Sequence, residues 1–162
     1  MRELIEQRRR TGADLYDEVW EGEYHLAPAP HGSHGLLEQQ IAALLGPLAT
    51  RAGLFATGPF NLGDSFNYRV PDLGFRRDRA PRTWVPTAAI VVEIVSPDDE
   101  SWAKLDFYAA HEVDEVLIAD PEAQQVTWLV RDGAGYAEAA GSALLGITSE
   151  ELAARIDWPP VA

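Results

Sequence analysis

A carboxylate in the middle of an apolar run constrains this chain more than any other feature. From Ala88 to Val95 the sequence reads AAIVVEIV, seven apolar residues interrupted only by Glu93. A strand with one wet face alternates apolar and polar residues, so an unbroken run of this length indicates a strand covered on both faces. An ionised carboxylate there costs several kcal/mol unless a cation, a metal or hydrogen bonds replace the lost water. Glu93 therefore demands a partner. The strand is expected to stop at Ser96-Pro97, ahead of Asp98, Asp99 and Glu100. A helix then follows with Trp102, Leu105, Tyr108 and Ala109 on one stripe and Lys104 off it.

Upstream, Arg2 to Arg10 reads as a charged helix ended by Gly12, and Glu18 to Ala27 as a hairpin turning at Gly22. The Pro- and Gly-rich connector APAPHGSHG leads to a helix whose Leu37, Ile41, Leu44, Leu45 and Leu48 recur at helical spacing until Gly46-Pro47. Phe55–Phe60 and Phe66–Phe75 read as two strands about a turn at Gly63-Asp64. Within the second, Val70-Pro71-Asp72 places a proline before a lone acid, which implies an edge, a strand start or a bulge. Glu115–Ala119 and Val126–Val130 are further buried strands, and a capping box, Thr148 with Glu151, opens the last helix. A strand, helix and strand from Ile90 to Ala119 make a parallel crossover. The expected class is mixed α/β (α+β), a sheet flanked by helices.

At 162 residues and 46% hydrophobic content, one domain spanning 1–162 is expected. With no cysteine and no apolar run of about 18 residues, a cytoplasmic protein without a membrane segment is expected. The net charge of -13 argues against a broad nucleic-acid surface, since phosphate affinity comes from basic side chains. Arg76, Arg77, Arg79 and Arg82 are the candidates for a local one, and Arg8, Arg9 and Arg10 read as a solvated arm.

Three segments, Pro71-Asp72-Leu73, Val92-Glu93-Ile94-Val95-Ser96-Pro97 and Lys104-Leu105-Asp106-Phe107-Tyr108-Ala109, resemble the Uma-two-type restriction endonucleases, a branch of the PD-(D/E)XK nuclease superfamily. Asp17 to Gly22, Ala27 to Pro30 and His34 are similar to that family too, so the likeness runs from about Asp17 to Pro160. The superfamily pattern sets a lysine two places after the Glu. Here Val95 stands at that position, and the family resembled carries its lysine on the next helix, where Lys104 lies.

The resemblance implies a restriction-endonuclease-like central sheet, a metal-dependent DNA endonuclease, and Asp72, Glu93 and Lys104 as its catalytic residues. The chemistry fits those residue types. A hard cation such as Mg²⁺ or Mn²⁺ takes one or two carboxylates plus waters, so Asp72 and Glu93, completed by the Ile94 carbonyl, are the expected ligand set. Lys104 would stabilise developing negative charge. His34 and Glu38 are auxiliary candidates, and a homodimer is expected for cutting both strands of a duplex. Each residue also has a plainer reading. Glu93 can be a buried acid paired with Lys104, Lys104 a surface residue paired with Glu100, Asp72 a turn acid and His34 a cap. Two other functions stay open, an interaction module that has lost turnover and a phosphodiesterase acting on RNA or a small nucleotide.

Overall fold

The structure, a computed structural model, describes residues 1–27, 32–96 and 100–160. Readings placed on Pro28, Ala29, Pro30, His31, Pro97, Asp98 and Asp99 lie outside the described residues. In chain order the elements are α1 (Arg2–Thr11), β1 (Glu18–Trp20), β2 (Glu23–His25), α2 (Gly32–Arg51), β3 (Phe55–Thr57), β4 (Asn61–Asp64), β5 (Asn67–Arg69), β6 (Leu73–Arg76) and β7 (Trp84–Val85). There follow β8 (Ile90–Ile94), a 3₁₀ turn (Ser101–Lys104), α3 (Leu105–Ala110), β9 (Glu115–Asp120), β10 (Gln125–Asp132), β11 (Gly135–Ala139) and α4 (Ser149–Arg155). A six-stranded sheet runs β11-β10-β9-β8-β6-β3, and a five-stranded one runs β2-β1-β5-β4-β7. No described helix is long and apolar enough to cross a membrane.

The strand β8 sits inside the larger sheet, antiparallel to β6 and parallel to β9, with every residue buried. Its pleat sends alternate side chains to two cores. Ile90, Val92 and Ile94 join Leu37, Ile41 and Leu45 of α2 and Leu152 of α4. Val91 points the other way, into a cluster with Leu62 of β4 and Phe107 and Tyr108 of α3. Glu93 shares the parity of Val91 and so faces α3. Burial of these side chains at about 25 cal/mol per Å² of apolar surface is what fixes β8 between the layers.

Several local expectations hold for the reasons given. Gly12 ends α1 in the left-handed region at φ 72, and Glu21 and Gly22, both at positive φ, turn the β1–β2 hairpin. Thr148 and Glu151 form a complete capping box. Other expectations need correction. Phe66–Phe75 is two strands in two sheets, because Pro71, lacking an N–H, stands where the chain leaves β5 and enters β6. Gly63 lies within β4 rather than at a turn. A Cβ there would come within 2.3 Å of the Asn67 carbonyl oxygen and 2.9 Å of the Phe107 ring, so its glycine serves a close approach. The helix α2 continues through Pro47 to Arg51. Pro47 and Ala43 are both exposed, so the proline falls on the wet side of the helix.

Trp102 is 52% exposed and takes no part in the expected stripe. The segment Ser101–Lys104 is a 3₁₀ turn. Its three residues per turn break the 100° step on which that stripe depended. Only from Leu105 does α-helical geometry begin, and Phe107, Tyr108 and Ala109 are the residues it buries.

Candidate active site

Asp72, Glu93 and Lys104 come together at one end of β8. The β6–β8 register pairs Leu73 with Val92 and Gly74 with Val91, and carried one residue further it sets Asp72 beside Glu93. Asp72 is fastened there by the Ile94 amide, which donates to its Oδ2 at 2.7 Å. The bond engages the Ile94 N–H and leaves the carbonyl, the expected metal ligand at that residue, outside this contact. His34, in the first turn of α2, stands with Nε2 3.0 Å from Asp72 Oδ1. That bond raises the His34 pKa, and burial, with Asp72 adding to it, raises that of Glu38.

Glu93 is 2% exposed and accepts three hydrogen bonds from two donor groups. The Lys104 ammonium lies 3.2 Å from Oε1 and 3.3 Å from Oε2, and the Tyr108 hydroxyl donates to Oε1. Burial pushes the Glu93 carboxyl up to about 8, Asp72 and Glu18 add to the rise, and Lys104 opposes it. For Lys104 itself burial works to lower the pKa, but Glu93 and Glu18 outweigh it and raise it above the ordinary lysine value. The pairing of Lys104 with Glu100 does not form. Glu100 instead approaches His25 Nδ1 at 3.3 Å.

Two members of the cluster escaped the sequence reading. Glu18 on β1 is 7% exposed and places Oε1 2.9 Å from Lys104 Nζ. The same oxygen accepts from the Val70 amide at 2.7 Å, while Oε2 accepts from Trp20 Nε1 at 2.6 Å. A tryptophan two residues along the same strand face was the one local signal for it. Tyr108 was read as packing only, and its hydroxyl is what reaches Glu93.

The four arginines lie elsewhere. Arg76 ends β6 and the other three follow it, whereas Asp72 precedes it, a separation of about 13 Å or more along the strand. Arg76 and Arg82 pair with Asp78 at 2.7 and 3.6 Å, and Arg77 with Asp114 at 2.7 Å. Arg79 stacks over Phe55 at 4.3 Å and borders a pocket of about 370 Å³ with Thr50, Gly53, Leu54 and Ala56. At the other end of the chain, Arg8 is tied to buried Asp17 at 2.5 Å rather than solvated. His25 stacks on Trp20 at 4.3 Å, and His111 lies against Phe107.

Four acids, Glu18, Glu38, Asp72 and Glu93, thus surround one lysine and one histidine. That surplus of hard oxygen donors suits a divalent cation, for which Asp72 and Glu93 offer neighbouring carboxylates. Among the described residues no group of three or more His, Cys, Asp or Glu stands close enough to hold an ion. A two-carboxylate site completed by waters is the arrangement these residues fit.

Comparison with solved structures finds the same architecture in a protein described as a putative nuclease belonging to DUF820 from Anabaena variabilis ATCC 29413. The TM-score is 0.71 at 16% identity, covering 86% of this chain and 90% of that one. At that identity the likeness shows the fold, which is restriction-endonuclease-like. Comparison with curated proteins gave no match. A family model described as "Putative restriction endonuclease" matches residues 5–158, and by that match the chain belongs to the Uma2 family.

Proposed function

We propose that this protein is a divalent-metal-dependent endonuclease that hydrolyses phosphodiester bonds in DNA, with the 162 residues acting as a single nuclease domain. The observation that carries the reading is the convergence of Asp72, Glu93 and the Lys104 ammonium, from three separate elements, at one end of β8. Asp72 and Glu93 would hold Mg²⁺ or Mn²⁺. The ion would supply charge neutralisation on the phosphoryl oxygens and a more acidic water. Lys104 keeps its positive charge across the neutral pH range and would oppose the negative charge that grows in the transition state. His34, bonded to Asp72, orients that carboxylate.

A plasmid-nicking assay with Mg²⁺ and with Mn²⁺, run beside Glu93→Gln, tests the reading. The wild type should nick and the variant should not. A specific observation favours a second substrate. Arg76, Arg77 and Arg82 are paired with acids, and the net charge is -13, so the segment after β6 offers a duplex little free basic charge. Cleavage of RNA or a small nucleotide with intact plasmid would select that phosphodiesterase, and no turnover on any of them would select an interaction module. A homodimer would let two sites address two strands. Light scattering reporting a monomer at working concentration would remove it. The cytoplasm is the location this reading proposes, since that is where a DNA substrate would be met.

A further inference from the structure

Lys104 is the only lysine in the chain, beside twelve arginines. An ammonium is a compact charge on a flexible stem, so its usefulness depends on what holds it. Glu93 cannot be the sole holder if its carboxylate is also to serve a cation. The second holder is Glu18, whose Oε1 is the nearer of the two acids to Lys104, at 2.9 against 3.2 Å.

We infer that Glu18 is a positioning residue, which keeps the Lys104 ammonium at the Asp72–Glu93 pair and sets the chain segment that delivers Asp72. This deepens the nuclease reading and rests on it. Glu18 is suited to the task because it joins three elements through one buried carboxylate. It lies on β1, it takes Lys104 from the 3₁₀ turn before α3, and it takes the amide of Val70, two residues before Asp72.

Its own placement is fixed from both sides. Trp20 Nε1 donates to the remaining oxygen at 2.6 Å. Next along the chain, buried Asp17 accepts from Arg8, from the Tyr24 hydroxyl at 2.8 Å and from the Ala27 amide at 2.9 Å. On the other strand Arg69 lies between the rings of Trp20 and Phe107, at 4.3 and 4.1 Å, and donates to the Val19 carbonyl at 3.0 Å. The β1–β5 pair is thereby a rigid mount for one carboxylate. Both Glu18 oxygens are already engaged, Oε1 by Lys104 and the Val70 amide and Oε2 by Trp20, which suits holding Lys104 better than metal ligation.

The test uses the full chain with Glu18→Gln, which keeps the side-chain shape, and Glu18→Asp, which keeps the charge but shortens the reach. Because Lys104 is the sole lysine, protein grown with ¹³C-lysine gives one side-chain signal set. A held lysine shows two distinct ε-proton shifts, and a released one shows a single averaged shift. Glu18→Gln and Glu18→Asp should both average the shifts, leave Mg²⁺ affinity by calorimetry within about threefold, and lower kcat about 10- to 100-fold at unchanged KM. Distinct ε-proton shifts in both variants would overturn the inference, as would a tenfold or greater loss of Mg²⁺ affinity, which would make Glu18 a ligand. A wild type that cleaves nothing would defeat the nuclease reading alone, and the lysine signals would still decide whether Glu18 holds Lys104.

Discussion

The ammonium of Lys104 lies 3.2 Å from Glu93 Oε1, although it belongs to a 3₁₀ turn and not to the strand that carries the acid. A strand lysine two residues after Glu93 would share its face. Val95 is there instead. The chain reaches the same point in space by folding the next segment back over the strand end.

Replacing Lys104 by alanine should lower cleavage by about 100-fold or more, the scale of losing one preorganised charge stabiliser, while Mg²⁺ still binds. Both carboxylates remain in place, so calorimetry should report binding at a comparable affinity. Equal cleavage rates in wild type and variant would remove Lys104 from the mechanism.

Tyr108→Phe deletes the hydroxyl that donates to Glu93 and leaves the ring in its cluster with Phe107 and Val113. Losing a buried donor to an acid costs about 1 to 3 kcal/mol. Urea unfolding should show a lower midpoint at unchanged slope. An unchanged midpoint would mean that the hydroxyl gives Glu93 no support.

The core of the site was legible because its residues stand out against their context. Glu93 interrupts an apolar run, Asp72 follows a proline at a strand boundary, and both facts concern nearest neighbours in sequence. Glu18 and the Tyr108 hydroxyl were illegible for the opposite reason. Glu18 sits in a three-residue strand beside other acids, with nothing local to show that 52 residues on the Val70 amide would meet it. Tyr108 fitted an apolar stripe equally well with or without its hydroxyl. The division between the two larger sheets was hidden in the same way, since the break at Pro71 separates β5 from β6 by long-range pairing that no local pattern encodes.

The Asp17 carboxylate supplies an acid-sensitive brace under Glu18. Burial works to raise its pKa, but hydrogen bonds from Arg8, the Ala27 amide and Tyr24 bring it below the ordinary value. A depressed folded-state pKa gives stability that is present above the unfolded pKa and lost as pH falls through the folded one. Melting temperature should therefore fall on acidification below about pH 4, and by less in Asp17→Asn. An identical acid slope in the two proteins would assign the loss to other carboxylates.

Glu93 has the opposite sign, and the sign ties metal binding to pH. Its carboxyl is pushed up to about 8 in the folded chain, against an ordinary value of 4.5. A raised folded-state pKa favours the folded chain below the unfolded value, and that advantage is lost as pH rises through the folded value. Metal-free protein should thus lose stability between about pH 5 and pH 8 on account of this group. A cation takes the ionised form and displaces the proton. Its apparent affinity should fall about tenfold for each pH unit below 8. The increase in melting temperature on adding Mg²⁺ to chelator-treated protein should accordingly be large at about pH 9 and small at about pH 6. Glu93→Gln has no proton to displace and should lose both the alkaline destabilisation and the metal-induced increase. A Mg²⁺ effect of equal size at the two pH values in the wild type would show that the cation does not bind Glu93.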